Sequence, residues 1–474
     1  YYRSCRVSIS NREVLMVRLS VSVLWCCLFL QFAGSGFEVV LSSYGHCFGA
    51  QKELRGYCRF STSNPDLRVD DRIREKVRKL VNELDAPTRI QRDQAQQMLE
   101  LLGPRILPHL SVMNSGSLEQ KRRLVQICQS LYVRRAHGTQ YARRLTLKAS
   151  ETSLQKVLYS VVAQTGNDMI DVRKFFRLPR GKHSFHSDWN DITFWQAITT
   201  LTSQQGWQLA LDADQKLLAF SFTESDQKAV FLEQESPFCV LAGSISLKEG
   251  VPEDIYELPV EVLWEPRIRP LFWTYEMKDV SGMLDEENDV LPFDSEAAYE
   301  VLTREGQIGL KQVLQLKVDR KESAQIKEIR GKLTAVIPSV SEPFSFPDPA
   351  DVQSRRYCQK AGLTVELEHF RRDVSRIHGK LLLSFDDLYS VRLESYQRAR
   401  WFACHEVYLR SSRDAGALYR GILKFVGDDP RAIKVSYEFS GIPDSFVGNE
   451  LIYCAPPMIL EVVVHYAFSS LPLP

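Results

Sequence analysis

A chain of 474 residues is too long for one ordinary hydrophobic core, so roughly two to four domains are expected. Its hydrophobic content of 44% and charged content of 25% are those of a folded globular protein and exclude a disordered one. The net charge of +1 conceals two opposed segments. Lys121, Arg122, Arg123, Arg134, Arg135, Arg143, Arg144 and Lys148 have no acid among them, whereas Asp285, Glu286, Glu287, Asp289, Asp294, Glu296 and Glu300 form a later acidic stretch.

At the N-terminal end, Arg18 precedes an apolar run from Leu19 to Leu30, followed by the small residues Ala33, Gly34, Ser35 and Gly36. That length suits the core of a secretory signal and is short for a membrane span. Residues 1–36 are therefore read as a signal peptide or a retained signal anchor, with Met16 the expected start. The expected location is exported, periplasmic or extracellular, with a tether to the inner membrane if the anchor is kept. Cys5, Cys26 and Cys27 lie in or before this segment, and the remaining cysteines are scattered singly with no Cys-x-x-Cys or zinc-ligand spacing. Isolated cysteines in apolar surroundings are usually buried small hydrophobes. Cys404 and Cys454 are the pair that export would permit to bond.

Residues 37–70 read as a linker, and a helical block follows over 71–136. Ile73, Val77, Leu80, Val81 and Leu84 share one helix face, ended by Asp85-Ala86-Pro87. Ala95, Met98, Leu99 and Leu102 mark a second helix that stops at Gly103-Pro104. After the apolar turn Ile106–Leu110, another helix is expected around Leu118–Tyr132. The string RDQAQQMLELLGPRILPHL resembles a HEAT-type repeat, which implies a small helical cap because so few repeat units fit.

The region 141–224 contains one amphipathic helix written twice, forty residues apart. Leu154, Val157, Leu158 and Val161 correspond to Phe194, Ala197, Ile198 and Leu201, and both copies close on a glycine, Gly166 and Gly206. Strands are expected at Leu145–Ala149, Met169–Val172, Lys182–Trp189, Trp207–Leu211 and Leu217–Phe222, with the second helix starting after Asn190 or Asp191. The segments LTLKASETSLQKVLYSVVAQTG and DITFWQAITTLTSQQGWQLALDADQKLLAF resemble the two βα halves of the short N-terminal domain of secretins and TonB-dependent receptors. The resemblance implies a periplasmic module that docks on protein partners or on its own copies and carries no catalytic residues. The insertion Arg173–Gly181 is longer and more basic than that family's norm.

From 228 to 474 the period changes to that of strands. Phe238–Leu247, Pro259–Leu263, Leu314–Val318, Gly331–Ile337, Leu363–Leu367 and Gly379–Phe385 are of strand length, as are Trp401–Leu409, Ala417–Phe425, Ile433–Phe439 and Met458–Phe468. Separators rich in Pro, Gly, Ser and Asp point to an antiparallel sandwich-like region of one or two units, with an internal boundary near 340–350, where Pro343, Pro347 and Pro349 cluster.

Candidate chemistry is sparse. His183 and His186 sit three apart, which on a strand directs them to opposite faces and argues against a shared metal. Cys404, His405 and Glu406 are adjacent, so a packed strand is favoured over a Cys–His nucleophile. Asp285–Asp289 lacks the central Gly and terminal Glu of a calcium loop. The aromatic and basic run Trp264–Trp273 reads as strand core with snorkelling Arg stems. No phosphate-cradling loop, nucleophile elbow or His-Glu-x-x-His pair occurs.

The expectation is a multi-domain α+β protein with an N-terminal helical cap, a small βαββαβ module and a large C-terminal antiparallel β region. It would be an exported cell-envelope protein acting by protein–protein contact or self-association, without a catalytic residue, cofactor, metal or specific nucleic-acid partner. Two other readings stay open. One is a hydrolase or carbohydrate-active protein with active residues dispersed in the β region. The other is polyanion binding through Lys121, Arg122, Arg123, Arg134, Arg135, Arg143, Arg144 and Lys148.

Overall fold

The computed structural model describes residues 67–474 except 111–115, 167–175, 178–183, 212–217, 222–228, 232, 234, 249, 251–254, 285–288, 305, 319–323, 352–355, 374–375, 387–394, 412–417, 430–431 and 443–447. The export segment, most of the expected linker, the strand at Met169–Val172, His183 and Asp285–Glu287 lie outside the described residues.

The helices are α1 (Leu67–Glu83), α2 (Arg89–Leu102), α3 (Leu107–Leu110) and α4 (Leu118–His137). Thr88 caps α2 by accepting from the Gln91 amide, and Gly103 stops it at a φ of 75° that side chains resist. Ser117 caps α4 through the Gln120 amide. Val77, Leu84, Ala95, Leu99, Ile106, Ile127 and Leu131 form the core between these helices. Helix α4 runs one turn beyond the expected Tyr132. The extra turn finds apolar cover: Ala136 is part of the β-region core, and Tyr132 and Val133 pack on it.

The next unit comprises β1 (Arg144–Ser153), α5 (Leu154–Thr165), β2 (Phe176–Arg177), β3 (Ser184–Thr193), α6 (Phe194–Gln204), β4 (Gln208–Leu211) and β5 (Leu218–Ser221). β1 and β3 form an antiparallel ribbon, while β2, β5 and β4 make a second sheet in which β2 runs parallel to β5. The duplicated helices bury corresponding positions. Leu154, Val157, Leu158, Val161 and Val162 match Phe194, Ala197, Ile198, Leu201 and Thr202. Burial of an aliphatic side chain stabilises by roughly 1.5–3 kcal/mol, so these stripes outweigh any single cap in placing the helices. The start of α6 differs from the expectation at Asn190 or Asp191. Strand β3 continues to Thr193, which forms a reciprocal capping box with Gln196.

This unit is not a free module. Its core includes Cys239, Leu241 and Leu263 from the β region, along with Ile308. Leu211 lies against Gly309 so closely that a Cβ there would collide with it.

The β region opens with β6 (Ala229–Phe231), β7 (Phe238–Ala242), β8 (Ser246–Leu247), β9 (Ile255–Trp264), β10 (Phe272–Glu276), β11 (Ser281–Met283), β12 (Asp289–Pro292), β13 (Ala298–Leu302), β14 (Gly309–Lys317) and β15 (Gln325–Pro338). Then come β16 (Glu342–Pro347), β17 (Tyr357–Lys360), β18 (Leu363–Arg372), β19 (Arg376–Phe385), α7 (Ser395–Phe402), β20 (Glu406–Ser411), β21 (Leu418–Arg420), β22 (Ile422–Asp429), β23 (Ala432–Ser440), β24 (Gly448–Ala455) and β25 (Ile459–Pro472). The sheets are antiparallel throughout this region.

The largest sheet runs β13-β10-β15-β11-β12-β14-β9-β7-β6, with β25 paired to β15 and β8 to β9. Val262, Trp264, Leu314, Ile329, Leu333 and Tyr466 meet in one core, so β9 and β14 face β15 and β25 across it. Strand β7 is buried on both sides. Phe238, Val240 and Ala242 face this core, and Cys239 and Leu241 face the α5/α6 unit.

The second core lies between the sheets β16-β24-β20-β21 and β17-β18-β19-β23-β22, where Phe344, Leu409 and Tyr453 meet Val365, Leu381 and Val435. Residues 342–455 are thus inserted between β15 and β25, which pair from Pro338↔Ile459 to Gln325↔Pro472. The division between the cores falls at residues 339–341. Within the stretch 340–350, where a boundary is expected, residues 342–347 form the edge strand β16. An edge position tolerates Pro343 and Pro347 because one side of the strand needs no ladder partner.

The expected strand Trp401–Leu409 is also different. Trp401 lies in the last turn of helix α7, buried in the second core, and the strand starts only at Glu406. Cys404 lies in the turn between them, its thiol near the Arg400 carbonyl at 3.9 Å, whereas Cys454 lies opposite Glu406 on β24. No disulfide joins the two, so the anticipated pairing is not present.

Candidate functional site

The outer face of the five-stranded sheet follows from simple alternation. In β19, Ile377, Leu381 and Leu383 enter the core, which turns Arg376, His378 and Lys380 outward. In β23, Ile433, Val435, Tyr437 and Phe439 are inside, and Lys434, Ser436 and Glu438 are outside. Register then places His378 opposite Glu438, Lys380 opposite Ser436, Ile422 opposite Glu438 and Lys424 opposite Ser436. A shallow groove forms over these strands, flanked by His369 and Asp373.

Two carboxylates organise the charge. Asp373 is 3.3 Å from Arg371 and 3.5 Å from His378, and Glu438 is 3.7 Å from Arg376 and 4.0 Å from Lys424. Lys380 adds a further exposed cation, so the face is positive on balance. Beneath it, the Tyr437 hydroxyl donates to the His369 carbonyl at 3.0 Å, across a position where only glycine fits. A Cβ on Gly379 would run into both that carbonyl oxygen and the Tyr437 hydroxyl. Burial pushes the Tyr437 phenol well above its usual range, so it remains a donor.

The groove ends at β22, an edge strand with no partner on its outer side among the described residues. Ile422, Phe425 and Val426 are 60%, 41% and 52% exposed there. A bulge between Phe425 and Gly427 twists the strand. An edge of this kind offers unpaired backbone groups to an extended segment.

The basic residues anticipated as a polyanion site do not form one patch. Lys121 and Arg122 are exposed on the first turns of α4. Arg123 is held between Asp93 and Glu119 at 2.8 Å each, and Arg134 donates to the Glu100 carbonyl at 2.8 Å. Arg135 reaches the buried Glu342 at 3.0 Å. Arg144 pairs with Asp191 and Glu235 at 3.0 and 2.8 Å, and Lys148 lies 3.8 Å from Asp188. The Arg143 amide donates to Glu265 at 2.8 Å. Most of the segment therefore fastens α4 and β1 to their neighbours.

Two buried ionic nodes anchor α4 and the segment after it. Glu265 is fully buried and accepts from Arg267 Nε at 2.5 Å, while Arg267 also donates to the carbonyls of Thr139 and Tyr141. Burial pushes the Glu265 carboxyl up, against the pull of the neighbouring guanidinium. At the second node, Lys360 donates to the Pro343 carbonyl and lies 4.8 Å above the Tyr132 ring, beside Glu342. Burial lowers the Lys360 ammonium and raises the Glu342 carboxyl, with the opposite charges of Arg135 and Lys360 moderating the latter.

His405 is buried, with Nδ1 2.5 Å from the Tyr453 hydroxyl and its ring 4.0 Å from that of Trp401. Desolvation pushes its pKa down to about 3, so it is a neutral core histidine. In the run Trp264–Trp273, both tryptophans are fully buried with ring centroids 5.7 Å apart, and Arg267 is the ligand of Glu265. His186 lies on β3, where its carbonyl accepts from Gln204. Among the described residues no group of three His, Cys, Asp or Glu converges as a metal site, and no helix is long and apolar enough to cross a membrane.

Arg376, His378, Lys380, Lys424 and Glu438 belong to no motif that marks them in the sequence. The signal was present as charged residues alternating with apolar ones in β19 and β23, but only register shows that the strands are neighbours.

Comparison with family models and with curated proteins returns no match. A solved structure described as the crystal structure of the conserved domain protein from Bacillus anthracis aligns with 52% of this chain and 92% of its own. The identity is 10% and the TM-score 0.15, a likeness that carries no argument about this chain.

Proposed function

We propose that this chain is a non-enzymatic interaction protein of the cell envelope, and that it holds an extended, acidic protein segment along the β22 edge and the groove beside it. The carrying observation is the coincidence of an open strand edge, the exposed Ile422 side chain and a cationic sheet face on one surface. Main-chain pairing would supply affinity, and the alternate side chains would read Ile422, Lys424 and Lys380. Export is supported by the apolar run Leu19–Leu30 behind Arg18. The helical cap, the βαββαβ module and two sandwich-like β units then act as a scaffold that presents this face. The resemblance of residues 143–222 to secretin and TonB-dependent-receptor modules supports an assembly role, with the qualification that the unit's β7- and β9-facing side is already occupied.

The hydrolase reading needs acidic groups converging in a cleft, and here Asp373 and Glu438 are each neutralised by neighbouring cations. The polyanion reading has its geometric support on this same face, more than in residues 121–148.

The test is fluorescence anisotropy with a labelled peptide of alternating Glu and Val. Lys380→Glu with Lys424→Glu is expected to abolish binding, and Ile422→Lys to weaken it about tenfold, which corresponds to about 1.4 kcal/mol. Undiminished binding by the charge-reversed variant, or none by the native chain, would overturn the proposal. Equal affinity for heparin would favour polyanion binding instead.

A further inference from the structure

The native chain carries a second surface that matches this face in reverse. Strand β13 ends the largest sheet, and no strand pairs its outer side among the described residues. The strand itself exposes Tyr299 and Leu302 at 46% and 38%. The turn before it carries exposed Asp294 and Glu296, and the strand carries exposed Glu300. Tyr299 is held in place by stacking on Tyr275 at 4.8 Å, and the turn is closed by the Ala297 amide on the Asp294 carbonyl. It is therefore an ordered, acidic, apolar-studded edge.

We infer that copies of this chain assemble head to tail, the acidic β13 edge of one lying along the basic β22 edge of the next. The inference rests on the reading of the β22 face as an interaction surface and names its occupant. Charge complementarity selects the pairing. Acidic groups on β13 and in the turn before it meet Lys380, Lys424 and Arg376, whereas like-with-like pairing of two β22 edges would bring the cations together. Both edges also expose apolar side chains that would be covered in the contact. Because the two surfaces differ and lie on different β units, the contact is heterologous. It generates a ring if the rotation closes and a filament if it does not. Two short strands with flanking side chains bury less than a standard interface of about 1,600 Å², so association is weak and sensitive to ionic strength.

Sedimentation velocity of the full chain over rising protein concentration tests this, at low and at high salt. The native chain is expected to show a growing series of oligomers that shrinks in high salt. Lys380→Glu/Lys424→Glu and Asp294→Lys/Glu296→Lys are each expected to remain monomeric with unchanged circular dichroism and melting, since all four side chains are on the surface. Mixed in equal amounts, the two variants offer both the native pair of edges and a charge-reversed pair that is complementary again, and assembly beyond a dimer should return. A monomeric native chain at every concentration, assembly by either variant alone, or no assembly in the mixture would overturn the inference. Binding of the Glu-Val peptide to a native chain that stays monomeric would sink self-assembly and leave the interaction face standing. Absence of both would sink the two together.

Discussion

The carboxylate of Glu265 and the guanidinium of Arg267 meet at 2.5 Å, where the segment after α4 crosses the turn between β9 and β10. Arg267 also gathers the carbonyls of Thr139 and Tyr141, and Glu265 receives the Arg143 amide. Glu265 is 0% exposed and the Arg267 side chain 11%. Replacing Arg267 with Met leaves a buried carboxylate without its charge partner and frees two backbone carbonyls. The expected loss is about 3–5 kcal/mol of unfolding free energy, read by urea denaturation. Glu265→Gln, which removes the charge but keeps a polar side chain, should cost less than Arg267→Met; the reverse order would show that the pair is not the anchor.

Gly379 is where the interaction face meets its own core. Ala at this position would force the His369 carbonyl or the Tyr437 ring to move. A cost of about 1–3 kcal/mol is expected from overpacking, together with loss of Glu-Val peptide binding as the groove wall shifts. Wild-type stability in Gly379→Ala would contradict the close approach described here.

The twin helices α5 and α6 differ in their caps, which yields an internal control. Thr193 accepts from the Gln196 amide within a capping box, whereas the Ser153 side chain makes no capping bond. Thr193→Ala should destabilise by about 1 kcal/mol, and Ser153→Ala by less than about 0.5 kcal/mol. Thermal unfolding of the two single variants decides it, and equal shifts would count against the asymmetry.

His405 imposes an acid sensitivity. Its pKa is depressed from an ordinary 6.5 to about 3 by burial. A depressed value means that its contribution is fully present above about pH 6.5. It is lost as pH falls toward 3, because the unfolded chain takes up the proton and the folded one does not. The stability slope from this group approaches about 1.4 kcal/mol per pH unit at most. His405→Phe combined with Tyr453→Phe, which removes both partners of the buried hydrogen bond, should flatten the acid limb of the unfolding free energy. An unchanged acid limb in the double variant would assign the sensitivity to other groups.

The local architecture was legible wherever a side chain's fate depends on its near neighbours in sequence. Periodicity located α5 and α6 and their matching buried stripes, because a helix face is set by residues three and four apart. Alternation located most strands. The two tryptophans of the Trp264–Trp273 run are core, but its middle is the turn between β9 and β10, where Arg267 packs on the buried Glu265 and does not snorkel. Alternation misjudged Trp401, whose apolar ring suits a strand or a helix equally until the second core claims it. Pro343 and Pro347 lie beside the division between the cores, and only the sheet order reveals that they belong to an edge strand.

The sequence by itself determined a long α+β chain with helices first and antiparallel strands after, and it located the separate basic and acidic segments. Tertiary structure alone decided that 342–455 is inserted between the paired strands β15 and β25, a contact between residues more than a hundred positions apart. It also decided what the charges do. Arg123, Arg135 and Arg144 are bound to acids contributed by other elements, while cations from β19 and β22 share one open face with Glu438 of β23. Charge is a property of a residue, but a charged surface is a property of register, and register is set by cross-strand pairing that no local pattern encodes.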